Sequence, residues 1–210
     1  VTVFYLMRHG ETFWNADRNR YCGRSDIPLS PNGERQAQEA ARRLQSSGVA
    51  FSAVYSSPLR RARQTAGPLA ASERLPVRED RRLIEIDFGE WDGVTAAEIR
   101  EKHAAGWLAW TTDPGRTAAG RTGETALSVY ERALGFFEEK SRLHPDDTVA
   151  VVAHDTWIRI FVAGMLEMPF RSYRRLRQQN AAVTVIETSE DGYVLKHLND
   201  SLHGWRSETP

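Results

Sequence analysis

The chain of 210 residues is long enough to bury a substantial core. It suits one domain over residues 1–210, with a small cap or insertion at about 90–125. Lys plus Arg equals Asp plus Glu at 28 each, so no net field draws the protein to nucleic acid or to a membrane. The single Cys22 excludes an internal disulfide and a multi-cysteine metal site, and with no signal-peptide pattern and no long apolar segment the chain reads as cytoplasmic.

The run Val3-Phe4-Tyr5-Leu6-Met7 is unbroken and apolar, the pattern of a buried strand in a parallel sheet, and it ends in Arg8-His9-Gly10. Asn15 to Leu29 is polar and turn-rich, as expected of a loop over a site. Ser30-Pro31 predicts a helix start, with Ala37, Ala40, Ala41 and Leu44 as its apolar stripe and Gly48 as its stop. Phe51 to Tyr55 predicts a second strand, and Pro58 opens a helix running to about Ala71. Leu83 to Asp87 is short, apolar at alternate positions and closed by Gly89, which reads as a strand. Thr95-x-x-Glu98 is a capping box for the next helix.

Residues 103–122 hold Trp107, Trp110 and several glycines and are less regular; they are expected to cover the site. A long helix follows, with Ala126, Val129, Tyr130, Ala133 and Phe137 on one face and Glu124 as an acid at its first turn. Val149 to Ala153 predicts a third buried strand, followed by His154, and Thr156 to Leu166 is apolar nearly all round, as a buried helix should be. Ala182 to Glu187 and Gly192 to Leu198 predict a hairpin around Glu190-Asp191-Gly192. The alternation implies an α/β fold, a three-layer sandwich with a mainly parallel central sheet and helices on both faces.

In open α/β sheets, chemistry collects where strands end at their carboxyl side. Arg8 there sets a fixed cation beside the His9 imidazole, and Gly10 leaves the backbone free to approach a ligand closely. A guanidinium from the Arg60-Arg61-Ala62-Arg63 cluster would match phosphate oxygens at every working pH. Most other arginines, including Arg171 to Arg177, are expected to face solvent. His103, His144, His197 and His203 have no partners at useful spacing and are expected at the surface.

Leu6-Met7-Arg8-His9-Gly10-Glu11-Thr12-x-x-Asn15 resembles the signature of the histidine phosphatase superfamily, the phosphoglycerate-mutase-like enzymes. Ser56 to Thr65 is similar to its Ser-x-x-x-x-Arg-Ala-x-x-Thr segment, whose register selects Arg61. Leu83 to Gly93 resembles Leu-x-Glu-x-x-x-Gly-x-x-x-Gly, which selects Glu85. Val151 to His154 looks like the second-histidine segment, with Asp155 where the family commonly has Gly. The four motifs stand in the family's order and span Val3 to about Leu198.

The resemblance implies a phosphoglycerate-mutase-like fold and a phosphohistidine at His9, with Glu85 giving a proton to the leaving oxygen. That donor role needs a raised carboxyl pKa, which burial between Ile84 and Ile86 would supply. Arg8, Arg61 and a protonated His154 are expected around the phosphoryl oxygens, keeping His9 deprotonated. Asn15 is expected to add a donor, and Thr12, Gly23 and Arg24 complete the expected substrate-binding set. Asp155 either holds His154 in its charged form or caps the following helix.

No metal and no cofactor are expected, and the partner is a small-molecule phosphate monoester; the oligomeric state stays open, a homodimer included. Phe88 to Gly93 and the compact segment after it look like the phosphatase-type branch, where water takes the phosphoryl group. The alternatives are a cofactor-dependent phosphoglycerate mutase and a non-catalytic phospholigand-binding module. His154-Asp155 would also suit a metal-dependent HD phosphohydrolase, but that pair sits on helices and this one follows a strand. Trp14, Tyr21, Trp91, Trp107 and Trp110 are candidate pocket walls, and Arg24, Arg116 and Arg121 are candidates for a second anionic group.

Overall fold

The computed structural model describes residues 1–201 and is built on a six-stranded sheet of order β3-β2-β4-β1-β5-β6. Strand β1 (Val3–Arg8) pairs parallel with β4 (Thr148–Ala153), which pairs parallel with β2 (Ala53–Ser56), and β2 with the edge strand β3 (Val77–Glu79). On its other side β1 meets β5 (Val183–Ser189) antiparallel, and β6 (Gly192–Asp200) closes that edge as a hairpin. Four strands are thus parallel, and the last hairpin is as expected.

Side chains alternate across a strand, so β1 feeds two cores. Phe4 and Leu6 enter one, with α6 (Ala126–Leu143) and α7 (Asp155–Met165); Tyr5 and Met7 enter the other, with α2 (Pro31–Ser46) and α3 (Arg60–Glu73). Both faces being covered, the run must be apolar throughout, which is why it carries no alternation. The second core is lined by Ala40, Ala41, Ala62, Ala66 and Ala70, small residues that let α2 and α3 lie close. The first is aromatic, with the Phe137 and Phe161 rings stacked at 4.2 Å.

Two helix starts follow their sequence signals. Ser30 accepts the Gly33 N–H at 3.1 Å with Pro31 behind it, and Thr95 and Glu98 exchange bonds at the start of α4 (Ala96–Lys102). α3 begins at Arg60 rather than Pro58, because Leu59 keeps an extended ψ of 137° as its cap. Residues 104–112 are more regular than expected and form α5 (Ala104–Thr112), which buries Trp110.

The segment 83–87 is no strand. A 3-10 turn at Arg81–Leu83 leads into unpaired extended chain whose polar groups are met by side chains. β3 was not foreseen, since Val77 is its one half-buried residue and nothing alternates. His144 is buried rather than at the surface, bonded to the Tyr55 hydroxyl at 2.9 Å and to Asp147 at 3.1 Å. His103 and His197 are half-buried, and His203 lies outside the described residues.

Candidate active site

The carboxyl ends of β1 and β4 lie side by side, with Arg8 opposite Ala153. The residues that follow, His9 and His154, therefore meet, with ring centroids 5.2 Å apart. Gly10 lets the first turn of α2 pack against this loop, since a Cβ there would collide with the Gly33 carbonyl. Its N–H is held by Thr65 Oγ1 at 3.0 Å. A single turn, α1 (Phe13–Ala16), follows, capped by the buried Thr12.

His9 is buried, and its Nδ1 lies 2.7 Å from the Gly10 carbonyl. A carbonyl only accepts, so Nδ1 carries the proton and Nε2 keeps its lone pair. Burial, then the charges of Arg61 and Arg8, hold the ring well below the ordinary imidazole range. His154 is fully buried, with Nε2 2.8 Å from Ser57 Oγ. Burial and the charge of Arg61 depress it as well. That corrects the expectation of a protonated His154: a ring enclosed this far among cations is neutral.

Arg61, fully buried on the first turn of α3, donates to the carbonyls of Ser25 (2.7 Å), Gly23 (2.9 Å) and Cys22 (3.2 Å). Arg8 donates to the Gln178 carbonyl at 2.7 Å. Among the described residues Arg8 Nε, Arg61 Nε and His154 Nδ1 are buried without a hydrogen-bond partner. Each such atom costs on the order of 1–3 kcal/mol, and these three belong to groups gathered around His9, where an anion would satisfy the two guanidinium donors.

Glu85 is buried at the start of α7. Oε1 accepts from Ile86 N and Trp157 N, both at 2.9 Å, and Oε2 accepts from Thr156 N at 3.1 Å. Burial raises its pKa against the pull of these N–H groups, as the flanking isoleucines led the sequence to imply. The unpaired segment around it is clamped by Arg132, which donates to the carbonyls of Arg82 (2.7 Å) and Ile84 (2.6 Å). Arg132 is held by Glu124 at 3.0 Å, and Glu124 accepts the Asp87 N–H at 2.9 Å. Glu124 therefore stands just before the Thr125 cap of α6 rather than in its first turn.

Asn15 reaches the site. Its Oδ1 accepts from Thr12 N and Asn180 Nδ2, leaving the amide nitrogen as its donor at the cavity wall. Thr12 itself is structural, since its hydroxyl caps α1. Gly23 is held through its backbone, N–H on Asp92 and carbonyl on Arg61, and its lack of a side chain lets it lie against the Ile86 carbonyl. Arg24 turns away to Glu124 at 2.9 Å, so it belongs to the clamp and not to the expected substrate-binding set. Asp155 neither caps α7 nor bonds His154; it is the first residue of α7 and pairs with Arg159 at 2.7 Å, which also leaves the metal-binding His-Asp reading without its pair.

A cavity of about 290 Å³ opens over His9, with Arg8, Asn15 and Glu85 on its wall and Arg61 and His154 enclosed behind it. Tyr21 borders it as expected, whereas Trp91 and Trp110 are core residues. Arg116 is exposed and Arg121 pairs with Glu90, both away from the cavity wall. The wall also holds Arg159, Tyr173 and Arg174, which no sequence motif marks. The i,i+4 spacing of Asp155 and Arg159 was a usable signal; Arg174 sits in a basic run that reads as a solvated face. Among the described residues no three His, Cys, Asp or Glu side chains gather as a metal site, and no helix is long and apolar enough to cross a membrane.

A sequence model of the histidine phosphatase superfamily (branch 1) matches residues 4–201. Phosphoserine phosphatase 1 of Hydrogenobacter thermophilus is 35% identical over 94% of this chain and 92% of its own. A protein of Cronobacter sakazakii named "probable phosphoglycerate mutase GpmB" is 32% identical over 95% and 93%. A crystal structure of a mutant phosphoserine phosphatase from Entamoeba histolytica in complex with phosphoserine superposes with a TM-score of 0.87 at 28% identity, covering 96% of this chain and 98% of that one. A mycobacterial glucosyl-3-phosphoglycerate phosphatase in complex with VO3 gives 0.85 at 30% identity, covering 95% and 100%. With the motif residues gathered at the ends of β1 and β4, the chain belongs to branch 1 of the histidine phosphatase superfamily, as a hydrolase of that family.

Proposed function

We propose that the protein hydrolyses small phosphate monoesters through a phosphohistidine at His9, without a metal. In the first step the His9 Nε2 lone pair forms the N–P bond as the ester P–O bond breaks, and Glu85 passes its proton to the departing oxygen. In the second, water attacks phosphorus, gives a proton back to Glu85, and releases phosphate and free His9. Arg8, Arg61, Asn15 and His154 hold the nonbridging oxygens, and the carbonyls of Cys22, Gly23 and Ser25 fix the Arg61 fork.

The observation that carries this reading is the pinned His9: Nδ1 anchored on Gly10, Nε2 unprotonated, with buried unpartnered donors on Arg8 and Arg61 and the unpartnered His154 Nδ1 around it. A phosphoryl dianion among those donors would favour the charged form of His154, which the apoprotein disfavours. Ala96 borders the cavity and Trp107 backs Arg174, which supports a cap role for the segment at about 90–125.

The likeness to the Cronobacter protein favours one second reading, in which the phosphoryl group passes to a second hydroxyl instead of water. Denaturing quench during turnover of labelled substrate should trap acid-labile phosphate on His9. His9→Ala should lose the label and at least about a thousandfold in kcat with an unchanged circular dichroism spectrum. A variant keeping a tenth of wild-type activity overturns the proposal, and loss of wild-type activity in a chelator overturns metal independence. Label delivered to an added alcohol acid rather than to phosphate selects the mutase reading.

A further inference from the structure

The cavity has a second basic end. Arg18 and Arg20 on its wall pair with Asp17, at 3.4 and 2.8 Å. Arg159 pairs with Asp155 and lies over the Tyr173 ring at 5.2 Å. Arg174 differs: it borders the cavity, yet among the described residues it meets no carboxylate within 4.0 Å. Its guanidinium lies 4.6 Å from the centre of the Trp107 ring, a cation–π contact that fixes where the charge sits.

Two hydroxyls face that guanidinium. Tyr173 accepts the Trp110 indole N–H at 3.2 Å, which leaves its own proton to donate. Tyr21 is pushed up to about 12 by burial, so it too stays a neutral donor. An uncompensated fork and two phenol donors at one end of a small cavity make an anion receptor, and a planar carboxylate matches the fork.

We propose that Arg174, with Tyr21 and Tyr173, is a subsite for a carboxylate on the substrate, so that the preferred substrates are short phosphomonoesters of hydroxy acids. This rests on the phosphoryl end lying at His9 as argued above. At about 290 Å³ the cavity stands at the lower limit of ligand pockets, which suits a short carbon chain between two anionic ends. The sequence offers Arg24, Arg116 and Arg121 for a second anionic group; the structure puts Arg174 on the cavity wall instead.

3-Phosphoglycerate and glycerol 3-phosphate differ only in a carboxylate against a hydroxymethyl group, so their ratio of kcat/KM reads the subsite directly. The wild type should prefer the acid by about 10- to 100-fold, the worth of one charge-assisted contact. Arg174→Gln should bring the ratio toward unity, whatever happens to the rate common to both. Arg175→Gln, exposed and off the cavity wall, should leave the ratio alone. A wild-type ratio near unity, or one that survives Arg174→Gln, overturns the proposal.

Turnover of p-nitrophenyl phosphate reports the phosphoryl chemistry separately. If the wild type turns over no monoester, the phosphatase reading fails, and the subsite is still decided by calorimetry on His9→Ala. That protein should bind 3-phosphoglycerate at least tenfold more tightly than glycerol 3-phosphate, a margin lost on adding Arg174→Gln. Equal affinities without that second change overturn the subsite.

Discussion

Burial acts in opposite directions on the two groups assigned to proton and phosphoryl traffic. It disfavours charge on both, lowering His9 and raising Glu85, which favours the free base on the one and the protonated acid on the other. Activity should fall in acid, as His9 protonates below the usual imidazole range, and in base, as Glu85 ionises above the usual carboxyl range. The alkaline limb depends on the leaving group. It should be clear for an alkyl phosphate and weak for p-nitrophenyl phosphate, whose phenolate departs without a proton. Glu85→Gln should cost about 10²–10⁴ on the alkyl ester and far less on the aryl one; equal losses would remove the donor role. The direction at Glu85 was readable in its isoleucine neighbours. The direction at His154 was not, because the residues that enclose and repel its charge come from other segments: Arg61 on α3, Arg132 on α6 and Arg8 on β1.

At the scale of elements, the position of Glu85 depends on a clamp from outside its own segment. Residues 83–87 enclose Leu83, Glu85 and Ile86, yet no neighbouring strand takes their backbone. Arg132 takes the Arg82 and Ile84 carbonyls and Glu124 takes the Asp87 N–H, so one ion pair brackets the carboxylate on both sides. The sequence could show Glu124 only as a helix-start acid, since its partner lies a helix turn or more away and its target is backbone. Arg132→Lys keeps the charge but not the fork, and a point charge does not hold two carbonyls and a carboxylate together. The alkyl-to-aryl rate ratio should fall in this variant toward that of Glu85→Gln, with a chemical denaturation midpoint showing a loss of about 1–3 kcal/mol. A ratio equal to wild type in a destabilised protein would make the clamp structural alone.

Across the whole molecule, what was readable follows from layering. The runs of β1 and β4 announce themselves because helices cover both faces, and the α2 and α6 stripes because each covers one. β3, at the sheet edge with little to bury, left no pattern to read. The convergence of strand ends puts two arginines and two histidines at one place, and the fold bears their burial. Below the ordinary imidazole range the unfolded chain binds more protons than the folded one at His9 and His154. Stability at these sites is therefore lost as pH falls through that range. An anion that satisfies Arg8 Nε and Arg61 Nε should act the other way and stabilise the entire fold by mass action. At 100 times its Kd, inorganic phosphate would add about 2.7 kcal/mol, which for a chain of this size is roughly 5–10 °C in Tm. Calorimetry at pH 7.5 should show that rise against chloride at equal ionic strength. Arg61→Lys should abolish it, because an ammonium does not serve the loop carbonyls and the anion together. A wild-type Tm indifferent to phosphate would mean that the orphaned donors around His9 do not form an anion site.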